Sequence, residues 1–293
     1  MAANEQDFSD WCGKTEVSYD IIDPALAERL RTTLLRGEQT PATGVLPTLG
    51  HWCYFQSPAP ADLLGEDGHP QRGGFLPPIA LPRRMWAGGS LEFLAPIPIG
   101  ATLSRHSTIG SIQAKEGRSG KLVFVSITHD YWQEETKLIT ERQDLVFREA
   151  AIKGNTASAN NKTTTLPPPE ETPTPLHSQT LRGDAVTLFR FSALTFNSHR
   201  IHYDRNYAVQ VEGYSGLVAH GPLLATQLAQ FAEQQFANDG RSLRHFDFKA
   251  VSPVIDTQHY TLCTGSEADD GCVPLWIVKD DGVVAMRAEA RFL

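Results

Sequence analysis

The 293-residue chain has no run of 18 apolar residues, which excludes a membrane-spanning helix. Its opening stretch, MAANEQDFSDWCGKTEVSYD, lacks an apolar signal core, and Glu5, Asp7 and Asp10 oppose a mitochondrial leader. Cysteine is scarce: Cys12, Cys53, Cys263 and Cys272 form no CxxC pair. That argues against a zinc site and a disulfide scaffold, and leaves reduced, buried thiols in a cytoplasmic protein as the expectation. Basic residues are outnumbered, 26 Lys and Arg to 34 Asp and Glu, for a formal net charge of −8. A surface of that sign attracts neither nucleic acid nor an anionic membrane, though it leaves room for a local basic patch over a phosphorylated ligand.

What remains is a globular composition, 41% hydrophobic and 20% charged, long enough for one large domain or two smaller ones. Residues 154–176, GNTASANNKTTTLPPPEETPTPL, hold little that can be buried. The 151–177 stretch therefore reads as a linker between halves at 1–150 and 178–293. In the first half Asp23-Pro24 is a helix-start signal, with Leu26, Leu30, Leu34 and Leu35 at helical spacing up to Gly37. Long β-branched segments follow: LEFLAPI, ATLSRHSTIGSIQAKE, KLVFVSITHDYWQ and KLITERQDLVFREA. They are broken only at Gly100, at 117–120 and at Glu134-Glu135, which predicts an antiparallel meander.

In the second half TLFRFSALTFN is predicted as a strand and PLLATQLAQFAEQQFAND as one long helix. FDFKAVSPV, QHYTLCTGSE and CVPLWIVKDDGVVAMRAEARFL read as strands, the last folding back at Asp281-Gly282. A long helix rich in small residues beside long antiparallel strands fits a sheet wrapped around a helix. The expected fold is α+β, a double hot-dog, with ATGVLPTLGHWCYF as the poorly marked helix of the first half. A generic α+β sandwich has the same pattern.

Seven of the ten histidines (His51, His69, His106, His129, His177, His245 and His259) are scattered; His199, His202 and His220 cluster in FNSHRIHYD and VAHGPLLA. Asn197 and His202 stand at an expected strand-to-helix junction, where a turn aims both into one cleft. An imidazole with a pKa of about 6.5 exchanges protons at neutral pH. An amide holds water without taking its proton. His199-x-x-His202 could also be a metal pair, but no nearby third ligand has the spacing of a site, so no metal is expected. Core or surface roles are the plain alternative for each. His220-Gly221-Pro222 precedes the long helix, whose first-turn amides and dipole polarise a carbonyl oxygen, and Gly221 lets the backbone come close. That makes an oxyanion site for a thioester enolate, although an ordinary helix entry reads the same way.

At these residues the chain resembles the MaoC-like (R-specific enoyl-CoA) hydratases. Their motif is a strand ending in Asp, then x-Asn-Pro-(Ile/Leu)-His, and further on His-Gly ahead of the central helix. Asn197-Ser198-His199-Arg200-Ile201-His202 and His220-Gly221 stand in its place. The resemblance puts the catalytic His on His202 and the catalytic Asp on Asn197. It places the thioester oxygen near Gly221 and His220, and gives Thr226 the place of a small hydroxyl residue of the helix. Asn for Asp, and His199-Arg200 for Asn-Pro, depart from the general motif. That variant is similar to double hot-dog dehydratases of the mitochondrial 3-hydroxyacyl-thioester type and to bacterial mesaconyl-C4-CoA and itaconyl-CoA hydratases. Residues 83–89 (RRMWAGG), 115–120 and 141–145 look like that branch too, which implies a degenerate first hot-dog serving the substrate and its CoA.

The resemblance implies a hydro-lyase in which His202 takes a proton from water and Asn197 orients that water. Asp204 is a weaker candidate for a second acid or base. CoA phosphates on an acidic protein call for local cations, for which Arg83, Arg84, Arg118 and Arg200 are the candidates. Arg83 and Arg84 share an expected binding loop with Trp86, and Arg118 lies in a glycine-flanked turn where a solvated charge is the plain alternative. In a dicarboxylic acyl-CoA one of these arginines would clamp the free carboxylate. The expected substrate is mesaconyl-C4-CoA or itaconyl-CoA, as in itaconate degradation, hydrated to citramalyl-CoA. The runner-up is a 3-hydroxyacyl-thioester dehydratase working on CoA or acyl-carrier protein. From other classes come a hot-dog thioesterase, whose usual carboxylate is missing beside Gly221-Pro222, and a non-catalytic acyl-thioester-binding protein. No cofactor is implied beyond the CoA of the substrate, and no nucleic-acid or membrane partner; pairing into a homo-oligomer is compatible with the pattern.

Overall fold

The computed structural model describes residues 8–34, 44–117, 120–149, 173–236 and 240–293. Its ten strands form one antiparallel sheet. In spatial order they are β1 (Thr15–Ile21), β3 (Thr102–Gly117), β4 (Gly120–Gln133), β5 (Thr136–Arg148), β2 (Arg83–Phe93), β7 (Leu243–Ala250), β10 (Val284–Phe292), β9 (Val273–Lys279), β8 (His259–Thr264) and β6 (His177–Arg182). Read from the outer edges inward, the order is 1-3-4-5-2 and 6-8-9-10-7, the same pattern twice. The two repeats meet where β2 pairs with β7, from Gly88↔Lys249 to Glu92↔His245. Gly88 is needed at this seam, because a Cβ there would sit 2.5 Å from the Phe248 carbonyl oxygen.

Each repeat continues its first strand into a helix. α1 (Pro24–Leu34) follows β1, α2 (Ala185–Leu194) follows β6, and the two helices pack together. α1 starts as expected, with Asp23 Oδ1 accepting from the Leu26 N–H at 2.7 Å; Leu35 and Gly37 lie outside the described residues. The central helix α3 (Gly221–Phe236) packs against β2, β7, β8, β9 and β10. It is buried on almost every face, and Ala225, Ala229 and Ala232 are at 0% exposure. A helix whose apolar residues reach around most of its surface needs a wide cover, and a curled sheet supplies it. This is the double hot-dog. The expected central helix of the first half is only a single 3-10 turn, Gly50–Cys53, entered through Leu49 at φ 62°. A loop over 54–82 follows it and crosses to the second half.

Two sequence expectations are corrected here. TLFRFSALTFN is not a strand, since its 187–194 part lies in α2. Asp184 caps that helix, accepting from Thr187 N at 2.8 Å and Thr187 Oγ1 at 2.6 Å, and Leu188, Phe191 and Leu194 are buried at a helical spacing. Replacing the cap by Asp184→Ala is expected to cost about 1 kcal/mol, read from urea unfolding midpoints. Residues 83–89 are not a loop but the start of β2, paired with β5. The strands β1 and β6 have no counterpart in the sequence reading. The meander β3–β4–β5 and the β9–β10 hairpin, with Gly282 at φ 77°, stand as expected. Over 151–172 the expected linker lies outside the described residues. No helix among the described residues is long and apolar enough to cross a membrane.

Candidate active site

α2 ends at Leu194, and Phe196 at φ 48° turns the chain into Asn197 and the 3-10 turn Arg200–His202. His202 is buried, and its Nδ1 lies 2.7 Å from the Val218 carbonyl oxygen. A carbonyl only accepts, so Nδ1 carries the proton and Nε2 is left as a base. The Val218 segment is itself fixed. Val218 N–H donates to Ile201 O at 3.0 Å, Leu217 N–H to the buried Asp256 carboxylate at 3.0 Å, and Ala219 N–H to Val254 O at 2.8 Å.

His220 stacks on His202, with ring centroids 3.6 Å apart and planes inclined by 20°. Its Nε2 meets Ser192 Oγ of α2 at 2.8 Å, while its Nδ1 is buried with no hydrogen-bond partner among the described residues. Burial favours the neutral ring in both cases. It pushes His202 down to about 4, against the pull of the Val218 bond, and His220 well below the usual imidazole value.

A cavity of about 470 Å³ reaches this pair from the surface. Of the residues singled out in the sequence, Asn197, His202, His220, Gly221, Arg83, Arg84 and Trp86 line it. Asn197 Oδ1 accepts from the His199 N–H at 3.0 Å, which shapes the turn ahead of His202. Gly221 is the first residue of α3 and lines the cavity end; Pro222 has no N–H and the Leu224 N–H donates to His220 O at 3.1 Å, so the Gly221 amide is the first-turn donor at the cavity. Arg83 is neutralised by Glu212, with Nε 2.9 Å from Oε2. Arg84 has no hydrogen-bonded carboxylate among the described residues. Burial draws its guanidinium down to about 10, with the charge of Asp67 opposing the shift.

Other candidates lie elsewhere. Arg200 grips Asp204 Oδ2 with Nε at 3.1 Å and Nη2 at 2.7 Å, and lies over the Tyr207 ring at 4.1 Å. It ties the loop together and does not reach the cavity wall, and the same ion pair removes Asp204 as an acid or base. The Thr226 hydroxyl donates to Pro222 O at 2.8 Å inside α3, so it too is absent from the wall. Arg118 lies outside the described residues.

Two residues were missed. The crossing loop of the first half brings Asp67 and His69 to the cavity, and His69 is therefore not one of the scattered histidines. Arg200 N–H donates to Asp67 O at 2.9 Å and Ser198 Oγ to Gly68 O. The contact is so close that a Cβ on Gly68 would lie 2.0 Å from Ser198 O, and Gly68 has φ +88°. His69 Nδ1 is 2.9 Å from Asp67 Oδ2, and its ring is 4.2 Å from that of His199, which stands edge-on to His202 at 5.3 Å. Donor atoms of Asp67, His69 and His199 all lie within 4.8 Å of one another, so His199 has companions that chain spacing did not offer. Burial pushes the Asp67 carboxyl up, but the hydrogen bond and charge of His69 outweigh it and hold the carboxyl below its usual range. Burial and Arg84 lower His69 against the pull of Asp67. The signal available in the sequence was Asp67-x-His69 in a glycine-rich stretch.

Residues 49–256 match the family described as hydroxyacyl-thioester dehydratase type 2. Over 96% of both chains the protein is 41% identical to the mesaconyl-C(4)-CoA hydratase of Chloroflexus aurantiacus. Over 78% of both chains it is 25% identical to the mitochondrial hydroxyacyl-thioester dehydratase type 2 of Schizosaccharomyces pombe. Among solved structures, a MaoC-like dehydratase from Phytophthora capsici superposes over 96% of each chain with a TM-score of 0.66 at 16% identity. HtdX of Mycobacterium tuberculosis does so over 96% of this chain and 100% of its own, with a TM-score of 0.64 at 15% identity. At such identities these structures share the fold.

Proposed function

The chain belongs to the hydroxyacyl-thioester dehydratase type 2 family, and from that premise we propose that it is a hydro-lyase adding water to a short dicarboxylic enoyl-CoA. The substrate is mesaconyl-C4-CoA or itaconyl-CoA and the product citramalyl-CoA, a step that fits itaconate degradation. The observation that carries this reading is the His202 imidazole, fixed through Nδ1 on Val218 O with Nε2 free, in a cavity that ends at the start of α3.

The chemistry follows from that placement. With mesaconyl-C4-CoA, whose double bond is conjugated with the thioester, His202 Nε2 takes a proton from water as the water oxygen bonds to the β-carbon. The π electrons move to the α-carbon and the thioester oxygen. The Gly221 amide at the start of α3 stabilises the developing negative charge. A Ser192 hydroxyl donating to His220 Nε2 leaves the proton on the buried Nδ1 and keeps His220 a neutral ring stacked on His202. Asn197 orients the water but cannot deprotonate it. The α-carbon then takes up a proton, and water has been added with no cofactor beyond the CoA of the substrate.

Arg84 supports the dicarboxylic choice. In mesaconyl-C4-CoA the free carboxylate is bonded to the carbon that receives the hydroxyl, so a clamp for it belongs in the same cavity as His202. A partly desolvated guanidinium without a carboxylate partner suits that task. A panel of enoyl-CoAs tests the reading by loss of enoyl absorbance. Arg84→Gln is expected to lower kcat/KM on mesaconyl-C4-CoA by roughly 10–100-fold, the worth of a hydrogen bond to a charged group, and to affect crotonyl-CoA far less. Preference for long alkyl chains would move the assignment to a fatty acyl-thioester dehydratase. Release of free thiol would make it a thioesterase, and inertness on the whole panel a binding protein. A cytoplasmic location goes with this reading, and the four cysteines, all free thiols, are in keeping with a reducing compartment.

A further inference from the structure

Addition of water moves two protons, one off the water and one onto the α-carbon, and the chain has lost the carboxylate that would stand at Asn197. His202 alone would have to do both. The degenerate half supplies what is missing. Its central helix has shrunk to the turn Gly50–Cys53, and the loop that follows delivers Asp67 and His69 to the other half, locked there through Gly68, Ser198 and Arg200. His69 lines the same cavity as His202. Its Nδ1 is engaged by Asp67 Oδ2 at 2.9 Å, as the Nδ1 of His202 is by Val218 O, so the two imidazoles each keep Nε2 for chemistry. They differ in one respect that sorts their roles: His69 has a carboxylate to balance an imidazolium, and His202 has only a carbonyl.

On the reading of the chain as a hydratase, we propose that His69, held by Asp67 as a positioning residue, is the acid that protonates the α-carbon while His202 deprotonates the water. One proton is shared by the pair at the start. The His69 imidazolium gives its Nε2 proton to the α-carbon as the π electrons arrive there, and neutral His202 receives the proton of the attacking water. The sum is one water added and one proton moved from His69 to His202. His199 stands between them, its ring 4.2 Å from His69 and 5.3 Å from His202, and the proton left on His202 returns to His69 through water once the product has left the cavity. Asp67, Arg72, Arg84, His199 and His202 are the charged and titratable groups around His69. A bound dicarboxylate offsets the two arginines and so favours the protonated His69 in the complex. The same Asp67, His69 and His199 donors are of the types a divalent metal takes, but two of them already satisfy each other and the Arg84 cation lies beside them, which favours proton transfer.

The test uses the full chain and mesaconyl-C4-CoA. His69→Gln is expected to lower kcat by roughly 100-fold with KM changed by less than about threefold, and to abolish the alkaline limb of the kcat–pH profile. Asp67→Asn keeps the ring and removes its counter-charge, so that limb should shift to lower pH. Should His69→Gln fail to fold, the Asp67→Asn shift decides. His69→Gln with wild-type kcat overturns the proposal, as does a loss of kcat with the alkaline limb still in place, which is the mark of a merely structural role. Loss of wild-type activity to a chelator, restored by zinc alone, overturns it in favour of a metal site. If the wild type hydrates no member of the panel, the functional reading fails and this inference falls with it. A wild type that is active beside an unaffected His69→Gln variant sinks the inference alone.

Discussion

His202→Gln is expected to lower kcat on mesaconyl-C4-CoA by roughly 1,000–10,000-fold, at the upper end of what a single proton-transfer group contributes. The expectation rests on geometry that the substitution isolates. Glutamine is near the size of histidine and can still donate to Val218 O, so the turn Arg200–His202 and its staple to Val218 have no reason to open. What glutamine cannot do is accept a proton from water. KM should therefore move little while kcat collapses, since the lost interaction belongs to the transition state. His220 is the group at risk, because it loses its stacking partner at 3.6 Å. An unchanged thermal midpoint would show that the loss is chemical. Turnover within about threefold of wild type would mean that the base lies elsewhere in the cavity.

How far the sequence revealed this site depends on how local each contact is. His202, His220 and Gly221 were legible because one motif of short range carries them, and α3 because its apolar spacing is regular. β3, β4 and β5 were legible because short breaks between long strands leave only hairpin connections. The 187–194 segment reads as a strand because Phe and Thr favour strands on average, whereas the Asp184 cap, three residues before Thr187, makes it the helix α2. Arg200 was assigned to the substrate although Asp204 follows at the i,i+4 spacing of a helical ion pair, a signal that was present. Asp67 and His69 could not be placed, because the bond that seats their loop joins Ser198 to Gly68 across 130 positions. Nothing local encodes that approach except the glycine that permits it.

The clustering of neutral histidines has a second large consequence, a steep loss of stability in mild acid. Burial is the leading cause that lowers His69, His129, His199, His202 and His220 below the ordinary imidazole value, reaching about 4 for His202. The unfolded chain takes up these protons as pH falls below about 6.5 and the folded chain does not. Their stabilising contribution is therefore complete above about 6.5 and is lost as pH falls toward 4. For His202 alone the difference is on the order of 3 kcal/mol, against roughly 5–15 kcal/mol for a whole domain. Four more groups carry the same sign and add to that loss. Glu233 acts the other way, since burial raises its carboxyl and acid favours its folded, neutral form. Asp67 and Glu141 add their own losses only at lower pH: burial raises the Glu141 carboxyl, but His51 and His129 outweigh it and hold it at about 2. Unfolding free energies from urea titrations at pH 7.5, 6.5 and 5.5 should fall by several kcal/mol in all, with a slope that His129→Gln reduces by about one proton, since His129 sits on Ser107 Oγ outside the cavity. Because His202 stays a neutral base down to about 4, activity at pH 5.5 should vanish with the fold and not before it. A midpoint that stays flat across this range would show that these rings are charged, or solvated, in the folded protein.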